Sequence, residues 1–139
     1  MKTNSYFDIG ANLTHESFDK DLITVIEEAK QNNVKKICIT STSIEDTRVS
    51  LKLLENDQDF FITTCGIHPH YADTFEESNI REIKELSEHP SVKAIGETGL
   101  DFNRNYSKKD NQILCFKSQI EVAQDLNLPL FLHLSLIHI

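Results

Sequence analysis

The sequence lacks the features that mark membrane and secreted proteins. No run of about 18 apolar residues occurs in it, which argues against a transmembrane helix. The N-terminal segment, Met1 to Tyr6, lacks the apolar stretch of a signal peptide. Three cysteines (Cys38, Cys65 and Cys115) lie far apart without a CxxC pair. We therefore expect buried, reduced thiols in a cytosolic protein rather than a disulfide framework.

Basic residues are also scarce. The 139 residues include 14 Lys and Arg against 22 Asp and Glu, so the formal net charge is −8. A protein that holds nucleic acid by charge alone is normally basic. A nucleic-acid partner would therefore require local cations or a bound metal, and a small-molecule enzyme with an acidic surface is the alternative. The apolar fraction of 39% excludes wholesale disorder and collagen-like repeats.

No low-complexity tract or Gly/Ser-rich linker divides the chain, which predicts a single domain. Strand and helix patterns alternate along it. Predicted strands cover 6–9, 36–40, 60–65, 92–96 and 130–132, and predicted helices cover 18–30, a segment capped by Ser43, 76–88 and a segment after Ser107. Residues 107–110 resemble a capping box, and the fourth helix has an apolar stripe at Ile113, Phe116, Ile120, Ala123 and Leu126. Such alternation predicts a parallel α/β sheet.

Polar residues end the predicted strands at intervals of 28 to 36 residues, namely Asp8, Thr40, His68, Glu97 and His133. Functional residues collect at the carboxyl ends of parallel strands. Eight units of this size require about 250 residues, the usual size of a (β/α)₈ TIM barrel. The chain supplies five strands and four helices, so we expect a barrel truncated after about strand 5.

The last six residues, 134–139, do not continue the strand–helix pattern. They match a translation of a transposon end sequence that is used in preparing DNA sequencing libraries. We therefore divide the chain into residues 1–133, the N-terminal part of one barrel domain, and residues 134–139, a non-native read-through tail. A genuine strand extension or a natural C-terminus is the alternative.

Glu97 and His133 form the candidate metal site. Glu97 lies at a strand end between Gly96 and Gly99, where glycines would let the backbone approach a ligand. His133 ends an apolar strand, and adjacent barrel strands would place it beside Glu97. A surface glutamate and a hydrogen-bonded core histidine are the alternative readings.

His68 and His70 are candidates for phosphate contact or proton transfer. They straddle Pro69, which turns the chain out of its strand. The segment 101–109 carries Asp101 and three cations, Arg104, Lys108 and Lys109, which would suit phosphodiester positioning or form a merely solvated loop. We interpret His15 and His89 as surface residues.

Four ordered segments, 8–14, 65–70, 95–106 and 128–133, together resemble the TatD family of metal-dependent deoxyribonucleases. The resemblance covers residues 6–133. It implies a TIM barrel of the metallo-dependent hydrolase type and hydrolysis of DNA phosphodiesters, as a 3′→5′ exonuclease on single-stranded or frayed ends. It implies no membrane and no obligate protein partner.

Residue by residue, the resemblance assigns Glu97 and His133 to metal binding and His68 and His70 to the catalytic, substrate side. We expect Arg104 and Asn12 to contact the substrate. Many relatives carry two histidines where this chain has Gly10 and Asn12. Fewer imidazoles favour Mg²⁺ or Mn²⁺ over Zn²⁺, with one or two ions per site.

The chain departs from the family pattern in other ways. The remaining metal histidine and a late catalytic aspartate would lie on strands beyond residue 139, and Ser135 replaces an expected arginine. Two alternatives therefore stay open. One is a metal-dependent amidohydrolase or lactonase that acts on a small molecule, and the other is a truncated chain that is inactive by itself.

Overall fold

Five parallel strands form one sheet in which sequence neighbours are also spatial neighbours. The computed structural model describes residues 4–135. The strands are β1 (Tyr6–Ala11), β2 (Val34–Ile39), β3 (Phe61–Cys65), β4 (Val92–Asp101) and β5 (Leu130–Ser135), in the order β1-β2-β3-β4-β5. Each neighbouring pair is parallel. The sheet curls into a half-barrel, which confirms the predicted fold class.

Four helices connect the strands. They are α1 (Leu22–Gln31), α2 (Ile44–Leu54), α3 (Glu77–Ser87) and α4 (Lys109–Leu126). The predicted cap of α2 is confirmed, because the Ser43 hydroxyl accepts a hydrogen bond from the Asp46 amide at 3.1 Å. The predicted first helix begins later than expected, since Phe18 ends a separate 3-10 helix, Glu16–Phe18. Within residues 4–135, no helix combines the length and apolar character that crossing a membrane requires.

The core lies between the sheet and its helices in two clusters. The larger one contains Cys65 and Ile95 from β3 and β4, Ile83 from α3, and Cys115 and Val122 from α4. The smaller one joins β2 and β3 to the end of α2. All three cysteines are free and buried, as the sequence predicts. Burial of these apolar side chains holds the helices against the strands.

The buried face of α4 differs from the predicted apolar stripe. Ile113 is 36% exposed, whereas Gln112 and Gln119 are 1% and 0% exposed and share the inner face with Cys115 and Val122. The prediction was wrong for Ile113, whereas Ala123 is buried and Leu126 packs against the core as expected. The two glutamines were missed because apolar periodicity counts glutamine as a surface residue. Here both glutamines are buried with their amide groups hydrogen-bonded.

The capping box predicted at residues 107–110 is also wrong. Lys108 is the N-cap residue of α4, and it makes no side-chain cap hydrogen bond. The Ser107 hydroxyl instead donates to the His70 carbonyl at 2.8 Å and accepts from the Asp73 amide at 3.2 Å. A tertiary contact has therefore replaced the local cap.

Strand β4 was predicted to end at Gly96 but continues to Asp101, with a register irregularity between Ile95 and Thr98. Gly96 and Gly99 have φ values of 149° and 146°. A Cβ atom would lie 2.3 Å from the Phe131 carbonyl oxygen at Gly96 and 1.9 Å from the His133 carbonyl oxygen at Gly99. The glycines thus let β4 approach β5 closely.

Strands β1 and β5 lie at the two edges of the sheet among the described residues. Their exposed apolar side chains are Tyr6, Phe7 and Ile9 on β1 and Leu132 and Leu134 on β5. Leu134 and Ser135 continue β5 and pair with Leu100 and Asp101. Residues 136–139 lie outside the described part of the chain, so the read-through tail stays a prediction.

Candidate functional site

The carboxyl ends of β3, β4 and β5 bring five polar side chains together, namely His68, His70, Glu97, Asp101 and His133. Strand β3 ends at Cys65, and the chain then turns into the 3-10 helix Pro69–Thr74. His68 caps this helix, since its Nδ1 accepts from the His70 amide at 3.1 Å. The turn at Pro69 therefore presents both imidazoles toward the end of the neighbouring strand.

Glu97 and His133 lie side by side. Nδ1 of His133 is 3.0 Å from Oε1 of Glu97, and Nε2 of His68 is 3.7 Å from the same oxygen. The Glu97 amide donates to the Ser41 carbonyl at 2.7 Å, which ties this part of β4 to the end of β2. The irregularity in β4 thus turns the Glu97 carboxylate toward the two histidines.

Asp101 is the central residue that the sequence reasoning missed. It is 1% exposed, and its Oδ2 lies 2.7 Å from Nε2 of His70 and 3.2 Å from Nε2 of His133. Its Oδ1 accepts from the Arg104 amide at 2.9 Å. The available signal was period-two spacing, which places Glu97 and Asp101 on one face if the strand is extended past Gly96.

Burial and neighbouring charges determine the protonation states here. Burial, followed by repulsion from His133 and His70, lowers the pKa of His68 to about 3. Burial alone would raise the pKa of Asp101, but hydrogen bonds from the Arg104 amide and from both histidines hold it well below its ordinary value. At neutral pH, His68 is therefore neutral and Asp101 ionised, which are the forms that bind a cation.

The donor set suits a divalent metal ion. Ring nitrogens of His68, His70 and His133 all lie within 4.8 Å of one another, and the Glu97 and Asp101 carboxylates contact the same rings. A neutral His133 has one ring proton for two carboxylate contacts, so one nitrogen lone pair faces a carboxylate oxygen. Either a second proton or a cation between the two groups would relieve this repulsion.

A cleft of about 530 Å³ opens beside these groups. It is lined by both predicted substrate contacts, Arg104 and Asn12, together with His68, His70, Glu97 and His133. His15 is exposed, as predicted, and its side chain also lines the cleft. All six predicted site residues therefore border one cavity.

Other predicted strand-end and loop residues lie elsewhere. Asp8 and Thr40 do not line this cleft; the Asp8 carboxylate accepts from the Gly10 amide, and Thr40 is buried. Lys109 places its Nζ 5.1 Å from the centre of the Phe102 ring. Arg104 is the one cation of the segment 101–109 that lines the cleft as the structure describes it.

An exposed aromatic ring borders the histidines. The Tyr106 ring packs edge-on against the His70 ring, with 4.7 Å between centroids. The His68 ring lies 4.2 Å from His70 and 4.4 Å from His133 in the same manner. Mutual packing thus restricts the orientation of all three imidazoles.

Comparisons with known proteins show the family to which the chain belongs. A family model described as "TatD related DNase" matches residues 7–137. A 3′-5′ ssDNA/RNA exonuclease TatD from Musicola paradisiaca is 43% identical over 127 residues, which cover 91% of this chain and 48% of that protein.

Solved structures agree as well. A hydrolase TatD family protein from Entamoeba histolytica superimposes with a TM-score of 0.86 at 28% identity, over 96% of this chain and 50% of that one. A TatD homolog from Escherichia coli superimposes with a TM-score of 0.81 at 26% identity, over 92% of this chain and 50% of that one.

The chain spans about half the length of the curated relatives that it matches. Within that half, the family model covers the sequence from β1 through β5. The resemblance carried by the four segments of the sequence is therefore confirmed, and the chain belongs to the TatD related DNase family.

Proposed function

We propose that this chain contributes to the active site of a divalent-metal-dependent nuclease that hydrolyses single-stranded DNA from the 3′ end. The observation that carries the proposal is the convergence of His68, His70 and His133 with two carboxylates at the ends of adjacent parallel strands. It occurs in a chain that is 43% identical to a named 3′-5′ ssDNA/RNA exonuclease. A cytosolic setting, which the free cysteines favour, belongs to the same proposal.

Glu97 and His133 would hold the metal ion, since their donor atoms lie 3.0 Å apart at the base of the cleft. A bound divalent cation would lower the pKa of a water molecule and offset negative charge on the scissile phosphate. We propose Mg²⁺ or Mn²⁺, with one or two ions, because oxygen donors favour these metals and Gly10 and Asn12 contribute no imidazole.

His70 is placed to accept a proton. Its Nε2 faces the ionised Asp101, so Nε2 carries the ring proton and donates it in a hydrogen bond. In the neutral ring, Nδ1 then has the lone pair and can accept a hydrogen bond. His68 is held neutral by its surroundings and faces the same cleft, where it would contact the phosphate or the leaving oxygen.

Arg104 and Asn12 would bind the nucleic-acid strand along the cleft. The guanidinium of Arg104 supplies a positive charge in a chain of net charge −8. Because the global field repels DNA, we expect affinity to depend strongly on the metal and on ionic strength.

The test is cleavage of end-labelled single-stranded DNA by the complete protein, meaning the full product of the reading frame that contains these residues. Chelator should abolish cleavage, and Mg²⁺ or Mn²⁺ should restore it. Glu97→Gln should lower kcat by about 100-fold, whereas Glu121→Gln, an exposed site on α4, should match the wild type. Chelator-resistant cleavage, or full activity with Zn²⁺ and none with Mg²⁺ or Mn²⁺, would contradict the proposal.

The comparisons do not favour the amidohydrolase or lactonase alternative, and the two N-terminal imidazoles expected of such enzymes are Gly10 and Asn12 here. Metal-dependent hydrolysis of a lactone or amide, without cleavage of DNA or RNA by the same preparation, would reverse the preference.

A further inference from the structure

Two glutamines on α4 connect this helix to the backbone beneath the site. Gln112 and Gln119 are spaced by two helical turns, share the inner face of α4 and are 1% and 0% exposed. A buried amide is costly unless its donor and acceptor are both hydrogen-bonded. Both side chains meet that requirement by bonding to residues next to the site.

Gln119 binds both backbone groups of Ile67, the residue that precedes His68. Its Oε1 accepts from the Ile67 amide at 2.8 Å, and its Nε2 donates to the Ile67 carbonyl at 3.0 Å. The approach depends on Gly66, where a Cβ atom would lie 2.7 Å from Oε1 of Gln119. One side chain thus supplies the donor and the acceptor that a neighbouring strand would otherwise provide. The two hydrogen bonds fix both the position and the orientation of the segment that carries His68.

Gln112 makes the equivalent connection at the end of β4. Its Oε1 accepts from the Asp101 amide at 2.8 Å, and its Nε2 donates to the Ser107 carbonyl at 2.8 Å. Ser107 in turn donates through its hydroxyl to the His70 carbonyl. Gln112 therefore links the backbone of Asp101 to the backbone of His70, whose side chains meet at 2.7 Å.

We propose that Gln112 and Gln119 are positioning residues that set the spacing between the His68–His70 segment and Asp101. A rigid helix carries both amides, so the ends of β3 and β4 are held at a separation set by the two turns of α4 between them. Apolar residues at these two positions would fill the same volume, but they would leave backbone groups of Ile67 and Asp101 unpaired. The inference rests on the proposed function, because its kinetic readout and its metal-affinity readout both belong to the proposed site.

The experiment replaces each glutamine with methionine, which is unbranched and of similar length, in the complete protein. Gln124→Met is the matched control, since Gln124 lies on the exposed face of the same helix. The readouts are the dissociation constant for Mn²⁺ by electron paramagnetic resonance, kcat and KM on single-stranded DNA, and the melting temperature.

We expect Gln112→Met and Gln119→Met to weaken Mn²⁺ binding and to lower kcat by about tenfold each. KM should change by less than about twofold in Gln119→Met, because Gln119 bonds to Ile67 and not to the segment that carries Arg104. Gln124→Met should change none of these values. A lower melting temperature with wild-type kcat and Mn²⁺ affinity in the folded protein would show a merely structural role and overturn the proposal.

Variants of Ser107 test the same proposal if the glutamine variants fail to fold. Ser107→Ala removes the bond to the His70 carbonyl and should lower kcat by about threefold, while Ser107→Thr keeps the hydroxyl and should restore it. Equal kcat in both variants overturns the proposal. If the wild type binds Mn²⁺ but cleaves no nucleic acid, the proposed function fails while the Mn²⁺ affinities still decide the positioning role. If the wild type binds no Mn²⁺, both fail.

Discussion

His70 and the buried Asp101 form an imidazole–carboxylate pair, with 2.7 Å between Nε2 and Oδ2. The same Oδ2 lies 3.2 Å from His133. Asp101 thus contacts two rings, one from the 3-10 helix that follows β3 and one from β5, and its ionised carboxylate favours the His70 tautomer that carries the proton on Nε2.

Asp101→Asn should lower kcat on single-stranded DNA by about tenfold or more. An asparagine can present its NH₂ group to the histidines and so select the opposite ring tautomer, or leave a buried donor unpaired. Kinetics of the complete protein, with circular dichroism to establish folding, check this. Asp59→Asn, in the exposed turn before β3, is the control; equal losses in both variants would contradict a specific role for Asp101.

Arg104→Gln should raise KM for single-stranded DNA by about tenfold and leave kcat within about threefold, because the guanidinium lines the cleft without contacting the histidine cluster directly. The KM of the variant should also depend less steeply on salt. Arg81→Gln, which removes an exposed charge on α3, is the comparison. An unchanged KM in Arg104→Gln would remove this residue from the substrate surface.

Gly99→Ala should destabilise the protein by about 3 kcal/mol or more, since it combines a strained backbone with a close approach to β5. The added Cβ would lie 1.9 Å from the His133 carbonyl oxygen, at a φ of 146°. Gly10→Ala is the matched control, because its nearest neighbour is the movable Phe131 ring at 3.1 Å. Urea unfolding of the complete protein measures the free energy of unfolding of both variants. Similar losses of stability in the two variants would show that the close approach of β4 to β5 does not determine the effect.

The cysteine thiols should be unreactive in the folded protein. Burial raises the pKa of Cys38 and of Cys115 to about 11, and burial also raises that of Cys65. The thiolate is the reactive form, so its fraction at pH 8 is far below that of an ordinary thiol. In the complete protein, a thiol reagent at pH 8 should therefore leave Cys38, Cys65 and Cys115 unlabelled until denaturant is added. Rapid labelling before unfolding would contradict the buried placement.

The 139-residue chain by itself should be inactive and loosely packed. Tyr6, Phe7 and Ile9 on β1 and Leu132 on β5 are exposed at the two edges of the sheet. Such edges favour aggregation or a molten state. We expect binding of a hydrophobic dye and a broad thermal transition. A sharp cooperative melt of this chain would contradict the expectation.

Local patterns predicted much of the architecture. The alternation of strand and helix, the Ser43 cap and the buried thiols all depend on residues near one another in sequence, so periodicity and side-chain type suffice to find them. The placement of Glu97 beside His133 could also be predicted, because parallel strands align their carboxyl ends.

Local patterns did not predict the roles of Asp101, Gln112 and Gln119. Gln112 and Gln119 are polar residues on a helix, and their burial follows only from partners 11 and 52 residues away in sequence. Asp101 was assigned to a loop because the strand was taken to end at Gly96, and only the pairing of β4 with β5 extends it.

By itself the sequence determined the order of strands and helices, the family and the residue types available for chemistry, since each is written in local spacing and motif. Only the tertiary structure decided which carboxylate joins the histidines and which helix side chains hold the strand ends together. The reason is physical: a buried hydrogen bond joins groups by proximity in space, and chain spacing does not encode that proximity.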